Sequence, residues 1–326
     1  MRKKIDREEY DRVWEQIAAE VKNAADSAAQ YPYIREHKDR FFELFEHMSV
    51  YLADVDNPRV LEFGTSSFSL FIKRFFPDIE LVTADRPIEM HGYPPIFAMN
   101  QAGSVAHYQI DHNTTPIGPN WGNPPIGQFD YVLFCEILEH LTINPVELLE
   151  ELISLLKPDG LLYLTTPNFF SHTNILKMER LEHPGQLYRR RGKDDHAAAM
   201  HVREYTLHEL VTFSEEAGGK VIKAIYSGIL SNEYASPYLQ KMPEYYSNLV
   251  ILVAPKGSSR QTDQIMNHDP SISWAKALNG EDEGISIPIL TRKIELLTHE
   301  NDRLRTHLNA IENGRIMRLL NWLSGS

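Results

Sequence analysis

Residues 59–76, with the sequence RVLEFGTSSFSLFIKRFF, constrain the fold of this chain more than any other stretch. Residues 60–63 predict a buried strand, residues 64–67 a tight turn and residues 68–76 the apolar positions of a helix. A strand that enters a helix through such a turn leaves free backbone N–H groups at its carboxyl end, where open α/β sheets bind nucleotide-like ligands. Asp85 ends the next apolar run about 20 residues further on, the spacing at which an acidic residue meets ribose hydroxyls. An ordinary strand–helix turn without a ligand is equally compatible with these residues.

The alternation of apolar runs with helical patterns over residues 58–255 predicts a doubly wound, Rossmann-like α/β fold. The expected sheet is mostly parallel, seven-stranded and covered by helices. Its strands are predicted at residues 60–63, 79–84, 105–110, 129–135, 161–165, 221–229 and 249–253.

Composition and patterning divide the remainder of the chain. Residues 1–57 carry two apolar stripes at helical spacing and predict an N-terminal helical cap, interrupted at residues 31–33. Residues 169–203 break the strand–helix rhythm and are interpreted as a lid insertion. Residues 256–286 are poor in apolar side chains and predict a linker, and residues 287–323 form the C-terminal segment.

The C-terminal segment has an apolar seam whose spacings alternate between four and three residues, which predicts a coiled coil. Asn301 occupies an a position, and a single buried Asn there favours a parallel two-stranded coil, so we expect a homodimer. A single amphipathic helix packed on its own domain is the alternative. Residues 315–323 mix basic and apolar side chains and either lie on a membrane surface or extend the coil. The seam consists of Leu290, Ile294, Leu297, Asn301, Leu304, Leu308 and Ile311.

Charge and composition exclude several functional classes. The formal net charge is −12 and the pI about 5.6, which disfavours a nucleic-acid partner because phosphate binding requires clustered positive charge. The single cysteine, Cys135, cannot form an intrachain disulfide or a cysteine zinc site, and its expected role is core packing. The N-terminal sequence MRKKIDREEYDRVW lacks a secretory apolar region, and no apolar run reaches ~18 residues, so we expect a cytoplasmic protein.

Five sequence blocks resemble the class I S-adenosylmethionine-dependent methyltransferases, in particular the methyltransferase-23 and ubiquinone O-methyltransferase types. The blocks are LEFG (61–64), TAD (83–85), FDYVLFCEILEHL (129–141), LLKPDGLLYLTTPN (155–168) and HVREYTLHEL (201–210). The resemblance implies that S-adenosylmethionine is the cofactor, with its methionine end at Glu62 and Gly64, its ribose at Asp85 and its adenine beside Asp111 and His112. It also assigns Thr65, Ser66, Cys135 and Glu136 to the cofactor site. Ser66 and Phe68 stand where the family usually has further glycines.

A Glu-x-x-Glu-His block matches members of this family that bind a divalent metal, through Glu136, Glu139 and His140. His201 lies roughly where the RNA-modifying members supply another ligand. If the segment turns helically, residues at i, i+3 and i+4 share one face and could hold Mg²⁺ or Mn²⁺, which would lower the pKa of a substrate hydroxyl. Two alternatives remain open: His140 as a metal-free general base oriented by Glu139, and purely structural roles.

The predicted lid contains a basic run, Tyr188, Arg189, Arg190 and Arg191, which is either a receptor for a phosphate- or sugar-bearing substrate or a solvated loop. The C-terminal sequence GRIMRLLNWL resembles tails of bacterial glycan-assembly enzymes. This implies a sugar or polysaccharide intermediate as acceptor, in a membrane-proximal complex. The predicted reaction is O-methylation of a glycan or small molecule, and the alternatives are N- or C-methylation and a catalytically idle scaffold.

Overall fold

A computed structural model of the chain describes residues 5–23, 30–64, 68–85, 105–110, 129–184, 201–228 and 243–266, together with Arg303 and Arg305. The chain divides into two units, one of residues 1–232 and 243–266, the other of residues 233–242 and 267–326. The second unit contributes only Arg303 and Arg305 to the described residues, and both are helical and exposed. The predicted coiled-coil seam otherwise lies outside the described residues.

The described strands form one eight-stranded sheet in the order β3-β2-β1-β4-β5-β7-β6-β8. Strands β1 to β5 pair in parallel, β7 is antiparallel to β5 and to β6, and β8 pairs in parallel with β6. The strands are β1 Arg59–Phe63, β2 Glu80–Asp85, β3 Ala106–Gln109, β4 Phe129–Cys135, β5 Leu156–Pro167, β6 Gly219–Ser227, β7 Asn248–Pro255 and β8 Gln264–Ile265.

The predicted Rossmann-like fold with a mostly parallel sheet is confirmed, but the number of strands was wrong by one among the described residues. The additional strand, β8, has two exposed residues and offers no apolar run to detect. The strand order reverses between β1 and β4, because β2 and β3 extend to one side and β5 to the other. Ligands of open α/β sheets bind at such a switch point, outside the carboxyl ends of the strands.

The described helices are α1 Arg7–Asn23, α2 Gln30–Glu36, α3 Lys38–Tyr51, α4 Phe68–Phe75, α5 Pro145–Ser154, α6 His172–Glu179 and α7 Leu207–Glu216. Two of them begin at caps that their sequences encode. The Asn144 side chain accepts a hydrogen bond from the backbone of Val146 at 3.0 Å, and Thr206 and Glu209 form a reciprocal capping box. Residues 31–33, predicted to separate two helices, instead lie inside α2.

Each face of the sheet has its own apolar core, because side chains alternate along every strand. One face buries Leu133 and Tyr163 beneath α1, α3 and α4, and the other buries Val132 and Leu164 beneath α5 and α7. Phe68, the first residue of α4, belongs to the first core, where its ring stacks on Phe45 with centroids 5.3 Å apart. The N-terminal helices thus pack on the same face of the sheet as α4.

Residues 256–266, predicted as part of the linker, pack against the sheet and include the short strand β8. The Asp159 carboxylate accepts hydrogen bonds from the Ser258 hydroxyl at 2.9 Å and from the Ser259 backbone at 2.8 Å. The chain then adds β8 to the edge of β6. This segment is polar because it packs through hydrogen bonds at the sheet edge, so composition alone did not distinguish it from a linker.

None of the described helices combines the length and the apolar character that crossing a bilayer requires.

Candidate active site

A narrow cleft with a cavity volume of about 50 Å³ lies at the carboxyl ends of β1, β4 and β5, at the switch point of the sheet. Helix α3 covers it. Its wall includes Glu62, Phe63 and Gly64 of the β1 end, Leu133, Cys135 and Glu136 of the β4 end, Tyr163 and Thr165 of β5, and Arg40, Phe41, Leu44 and Phe68 of the helices.

The β1 end presents a buried carboxylate followed by a glycine in the left-handed region. The Ser69 hydroxyl donates to Glu62 Oε2 at 2.5 Å, so the first turn of α4 holds this carboxylate. Gly64 has φ +82°, and an added Cβ there would lie 3.2 Å from Ile137 Cδ1. The register pairs Phe63 with Ala84, which brings Gly64 level with Asp85 at the end of β2. The predicted cofactor residues Glu62, Gly64 and Asp85 therefore end up on adjacent strand ends.

Glu136 follows β4 with φ +54°, a strained conformation for a non-glycine residue. Its Oε2 lies 3.1 Å from Arg40 Nη1, and its Oε1 accepts a hydrogen bond from the Thr165 hydroxyl at 2.8 Å. The Glu136 carboxylate therefore faces the cleft and is neutralised from α3. Sequence reasoning missed Arg40, since a single Arg on an amphipathic helix carries no distinguishing signal.

The neighbouring thiol of Cys135 also lines the cleft. Desolvation, reinforced by the charge of Glu136, raises the pKa of the Cys135 thiol to about 12. It is therefore a neutral wall of the cleft rather than a nucleophile.

A second group of polar side chains comprises Glu139, His140 and His201, whose potential ligand atoms all lie within 4.8 Å of one another. Glu139 is only 1% exposed, and its Oε2 accepts a hydrogen bond from the Thr166 hydroxyl at 2.9 Å. Its Oε1 is 3.8 Å from His140 Nε2, and the His140 and His201 rings meet edge-to-face with centroids 5.0 Å apart. Burial first, and the nearby charge of Glu136 second, raise the pKa of the Glu139 carboxyl well above its usual range.

The structure corrects the predicted four-residue metal set, because Glu136 does not join this cluster. Glu136, Glu139 and His140 do not share one helical face. The backbone of Glu136 is in the left-handed region, and the 3₁₀ turn begins only at Leu138. Glu136 bonds Thr165 whereas Glu139 bonds Thr166, and successive strand side chains point to opposite faces. The Glu-x-x-Glu-His motif is thereby divided between the cleft and the cluster.

His201 reaches the cluster through backbone hydrogen bonds to Glu139 itself. The carbonyl oxygen of Glu139 accepts from the backbone N–H of Val202 at 2.6 Å and of Arg203 at 3.2 Å. Just beyond, Tyr205 accepts a backbone hydrogen bond from Phe169 at 2.9 Å at the end of β5. The segment before α7 is thus attached to the sheet at two points, both beyond the carboxyl ends of its strands.

His201 also lines a second, larger pocket of about 340 Å³. Its wall is mixed in character, with one aromatic ring, two imidazoles and both signs of charge. It is formed by Phe169, His183, His201, Val202, Arg203, Glu204, Thr206 and Glu209.

The remaining predicted site residues lie outside the described residues and stay predictions. They are Thr65, Ser66, Asp111, His112, Tyr188, Arg189, Arg190 and Arg191.

A family model described as a methyltransferase domain matches residues 27–224. The chain belongs to this family. It is an S-adenosylmethionine-dependent methyltransferase. None of the curated proteins compared with this methyltransferase matches it.

Several solved structures are similar to the methyltransferase. A putative methyltransferase of Haloferax volcanii, in complex with the Trm112 activator, is 16% identical with a TM-score of 0.44, covering 73% of this chain and 97% of that one. An S-adenosylmethionine-dependent methyltransferase from Mesorhizobium loti is 12% identical with a TM-score of 0.42, and the match covers 64% of this chain and 96% of that one. An S-adenosylmethionine-dependent methyltransferase from Archaeoglobus fulgidus is 17% identical with a TM-score of 0.41, and the match covers 68% of this chain and 99% of that one. At TM-scores below 0.5 these similarities assign neither substrate nor partner.

The residues around the cleft fit the cofactor that the methyltransferase family implies, S-adenosylmethionine. Glu62 offers a buried carboxylate, Gly64 leaves its backbone uncovered at a place where a side chain would crowd Ile137, and Asp85 supplies an acceptor for hydroxyl groups at the adjacent strand end.

Proposed function

We propose that this methyltransferase methylates a hydroxyl oxygen of a small molecule or sugar, and that the Glu139–His140–His201 cluster prepares that hydroxyl. The observation that supports this most strongly is the clustering of one buried carboxylate and two imidazoles directly beyond the cofactor-facing residue Glu136. A buried carboxylate without a cation is costly, and a proton or a metal ion would relieve that cost.

When bound, S-adenosylmethionine supplies a methyl group on a sulfonium that is already a strong electrophile. The protein therefore has to place and deprotonate the acceptor. The cluster would take up the O–H proton of the acceptor, so that the acceptor oxygen could receive the methyl group in place of that proton while S-adenosylhomocysteine would leave. Phe41, Leu44 and Phe68 wall the cleft with apolar surface, which excludes water from the donor.

The cluster fits a divalent transition-metal cation. Two imidazole nitrogens and one carboxylate suit Fe²⁺ or Zn²⁺, and Mn²⁺, although a harder cation, accepts imidazole nitrogen more readily than Mg²⁺, which prefers oxygen ligands. We therefore favour Mn²⁺ over Mg²⁺ among the predicted metals. A cation held by Glu139, His140 and His201 would lower the pKa of an acceptor hydroxyl. Without a cation, His140 Nε2 would accept the proton itself, with Glu139 at 3.8 Å to stabilise the imidazolium.

We place the acceptor in the 340 Å³ pocket, which shares His201 with the cluster. That volume lies within the range of small-molecule sites. The mixed wall offers hydrogen-bond donors and acceptors together with the ring of Phe169, which suits a polar, hydroxylated acceptor.

The experiment follows methyl transfer from labelled S-adenosylmethionine to matched hydroxyl and amine acceptors, with Mn²⁺ or with EDTA. We expect hydroxyl methylation that EDTA suppresses, and a loss of about 10²–10⁴-fold in kcat for His140→Ala with unchanged donor affinity by calorimetry. Hydroxyl methylation that persists in EDTA would support the metal-free base instead. EDTA-insensitive methylation of amines alone would make the enzyme an N-methyltransferase, and absence of donor binding would restore the scaffold hypothesis.

The homodimer and the membrane-proximal location remain proposals that the sequence alone supports, through the seam at residues 290–311 and the basic, apolar tail at 315–323.

A further inference from the structure

Glu204 lies behind His201 and uses both of its carboxylate oxygens within the protein. Its Oε1 is 3.1 Å from His201 Nδ1, and its Oε2 accepts a hydrogen bond from Asn174 Nδ2 at 2.5 Å. The Glu204 side chain is only 11% exposed. Because this carboxylate is nearly buried and both of its oxygens contact protein side chains, it holds those side chains in a fixed geometry.

The contact at Nδ1 determines which tautomer His201 adopts. An ionised carboxylate only accepts hydrogen bonds, so Nδ1 must carry the proton and donate it to Glu204. Nε2 then keeps its lone pair and is the nitrogen that can bind a cation. Carboxylates paired with metal-binding histidines in this manner orient the ring and raise the basicity of the ligand.

We propose that Glu204 is a positioning residue that fixes His201 in the tautomer that binds a divalent cation together with Glu139 and His140. This inference rests on the cation of the proposed function. Glu204 is not itself a ligand in this role, and acts only through the imidazole of His201, which it contacts at Nδ1.

Asn174 makes the inference testable, because its orientation is fixed independently of Glu204. Its Nδ2 also donates to the carbonyl of Phe169 at 3.1 Å, so the amide nitrogen faces both partners. Whatever side chain stands at position 204 must therefore present an acceptor to Asn174. A glutamine there would turn its carbonyl oxygen to Asn174 and its NH₂ group to His201. Nδ1 would then have to accept, Nε2 would carry the proton, and the cation-binding tautomer would be lost.

The experiment compares the full-length wild-type protein with Glu204→Gln and Glu204→Asp. Glu182→Gln, which alters an exposed carboxylate of the segment between α6 and the acceptor pocket, is the matched control. ¹⁵N NMR of the imidazoles in metal-free protein reads the tautomer of His201, and calorimetry with MnCl₂ alone reads the affinity. Thermal unfolding and donor binding establish that each variant is folded.

We expect Nδ1–H in the wild type and Nε2–H in Glu204→Gln. Mn²⁺ affinity should fall about 10–100-fold in Glu204→Gln, fall less in Glu204→Asp, which keeps the charge, and remain unchanged in Glu182→Gln. A folded Glu204→Gln variant with the wild-type tautomer, or with wild-type Mn²⁺ affinity, would overturn the proposal. A wild-type protein that binds no Mn²⁺ would also overturn the proposal.

The results can distinguish failure of the proposed function from failure of the role proposed for Glu204. If the wild type binds Mn²⁺ and Glu204→Gln loses it, the positioning role stands even when no hydroxyl acceptor is methylated. If hydroxyl methylation proceeds without any Mn²⁺ binding, the proposed reaction stands with His140 as base and the role of Glu204 falls.

Discussion

Thr165 and Thr166 show how one step along a strand divides a catalytic motif. Thr165 donates to Glu136 on the cleft side, and Thr166 donates to Glu139 in the cluster. Both threonines end an apolar run, so the pattern of the sequence marks the strand end but not which carboxylate each hydroxyl serves. These two hydroxyls therefore hold the two carboxylates of the motif in different places, Glu136 at the cleft and Glu139 in the cluster.

Replacing Thr166 by valine should weaken Mn²⁺ binding at the cluster. The substitution preserves shape but removes the Thr166 hydroxyl that donates to the buried Glu139 carboxylate, and losing this donor disfavours the charged form of the carboxylate. We expect roughly a tenfold loss of Mn²⁺ affinity by calorimetry, equivalent to about 1.4 kcal/mol. Thr165→Val is the matched control and should leave Mn²⁺ affinity unchanged, and equal losses in both variants would contradict the division of the motif.

Gly64→Ala should destabilise the protein and impair donor binding. Its positive φ is unfavourable for alanine by about 1–2 kcal/mol, and the new methyl group would press on Ile137 at 3.2 Å. Gly218→Ala is a matched control, since Gly218 also has a positive φ, +76°, but has nothing within 4 Å of an added Cβ. We expect both variants to lose stability in chemical denaturation and only Gly64→Ala to lose affinity for S-adenosylmethionine. Unchanged donor affinity in Gly64→Ala would exclude Gly64 from the cofactor site.

At the scale of elements, helix α3 covers the cleft and carries a buried histidine that makes its packing sensitive to acid. His47 is 8% exposed and packs against the ring of Tyr163. Burial, and to a smaller extent the charge of Lys223, lower the pKa of His47 to about 4, while Asp263 partly offsets them. The folded protein therefore holds His47 neutral at a pH where the unfolded chain would bind a proton.

The contribution of His47 to the free energy of unfolding should consequently be fully present above pH 6.5 and decline as the pH falls from 6.5 towards 4, because the unfolded chain protonates this histidine over that window and the folded protein does not. The contribution of His47 is at most about 3 kcal/mol. His47→Gln should flatten the decline in chemical denaturation between pH 7 and pH 5, and His208→Gln, at an exposed position of α7, should not. Identical slopes for wild type and His47→Gln would show that this histidine does not govern the acid response.

The segment that follows the lid offers a test of the acceptor pocket. Val202 lines the pocket, and 48% of it is exposed, so a larger side chain can be accommodated without disturbing the core. Val202→Trp should raise the acceptor KM at least about tenfold by filling pocket volume, with donor affinity unchanged. Val50→Trp, at an equally exposed valine of α3, is the control, and its 57% exposure predicts no kinetic effect. An unaltered acceptor KM in Val202→Trp would show that the acceptor binds outside this pocket.

The elements were predictable where apolar periodicity encodes them, and the site was predictable only in part. Strands β1, β4 and β7 are buried runs that patterning detects directly, whereas β8 is two exposed residues held by pairing with β6. Glu139, His140 and His201 lie together in the structure, whereas Glu136 lies apart from them because of a left-handed backbone that no sequence spacing reveals. Arg40 and Glu204 act through tertiary contacts with residues distant in sequence, so local patterns could not identify them.

At the scale of the whole molecule, the heptad seam predicts that two copies associate through residues 290–311. Leu304→Lys places a charge at a d position and should convert a dimer into a monomer by light scattering, with donor affinity retained. Arg303→Gln, at an exposed helical position, should leave the mass unchanged. A wild-type protein that is monomeric at all concentrations tested would remove the coiled coil in favour of a single amphipathic helix.

Because the carbonyl oxygen of Glu139 holds Val202 and Arg203, the chain must close a loop of roughly sixty residues before His201 takes its place. An ion that requires all three side chains of the cluster would recognise only molecules in which this late segment has docked. Ion binding would then depend on complete folding. Only molecules in which residues 201–203 have docked on Glu139 would bind the ion and become active.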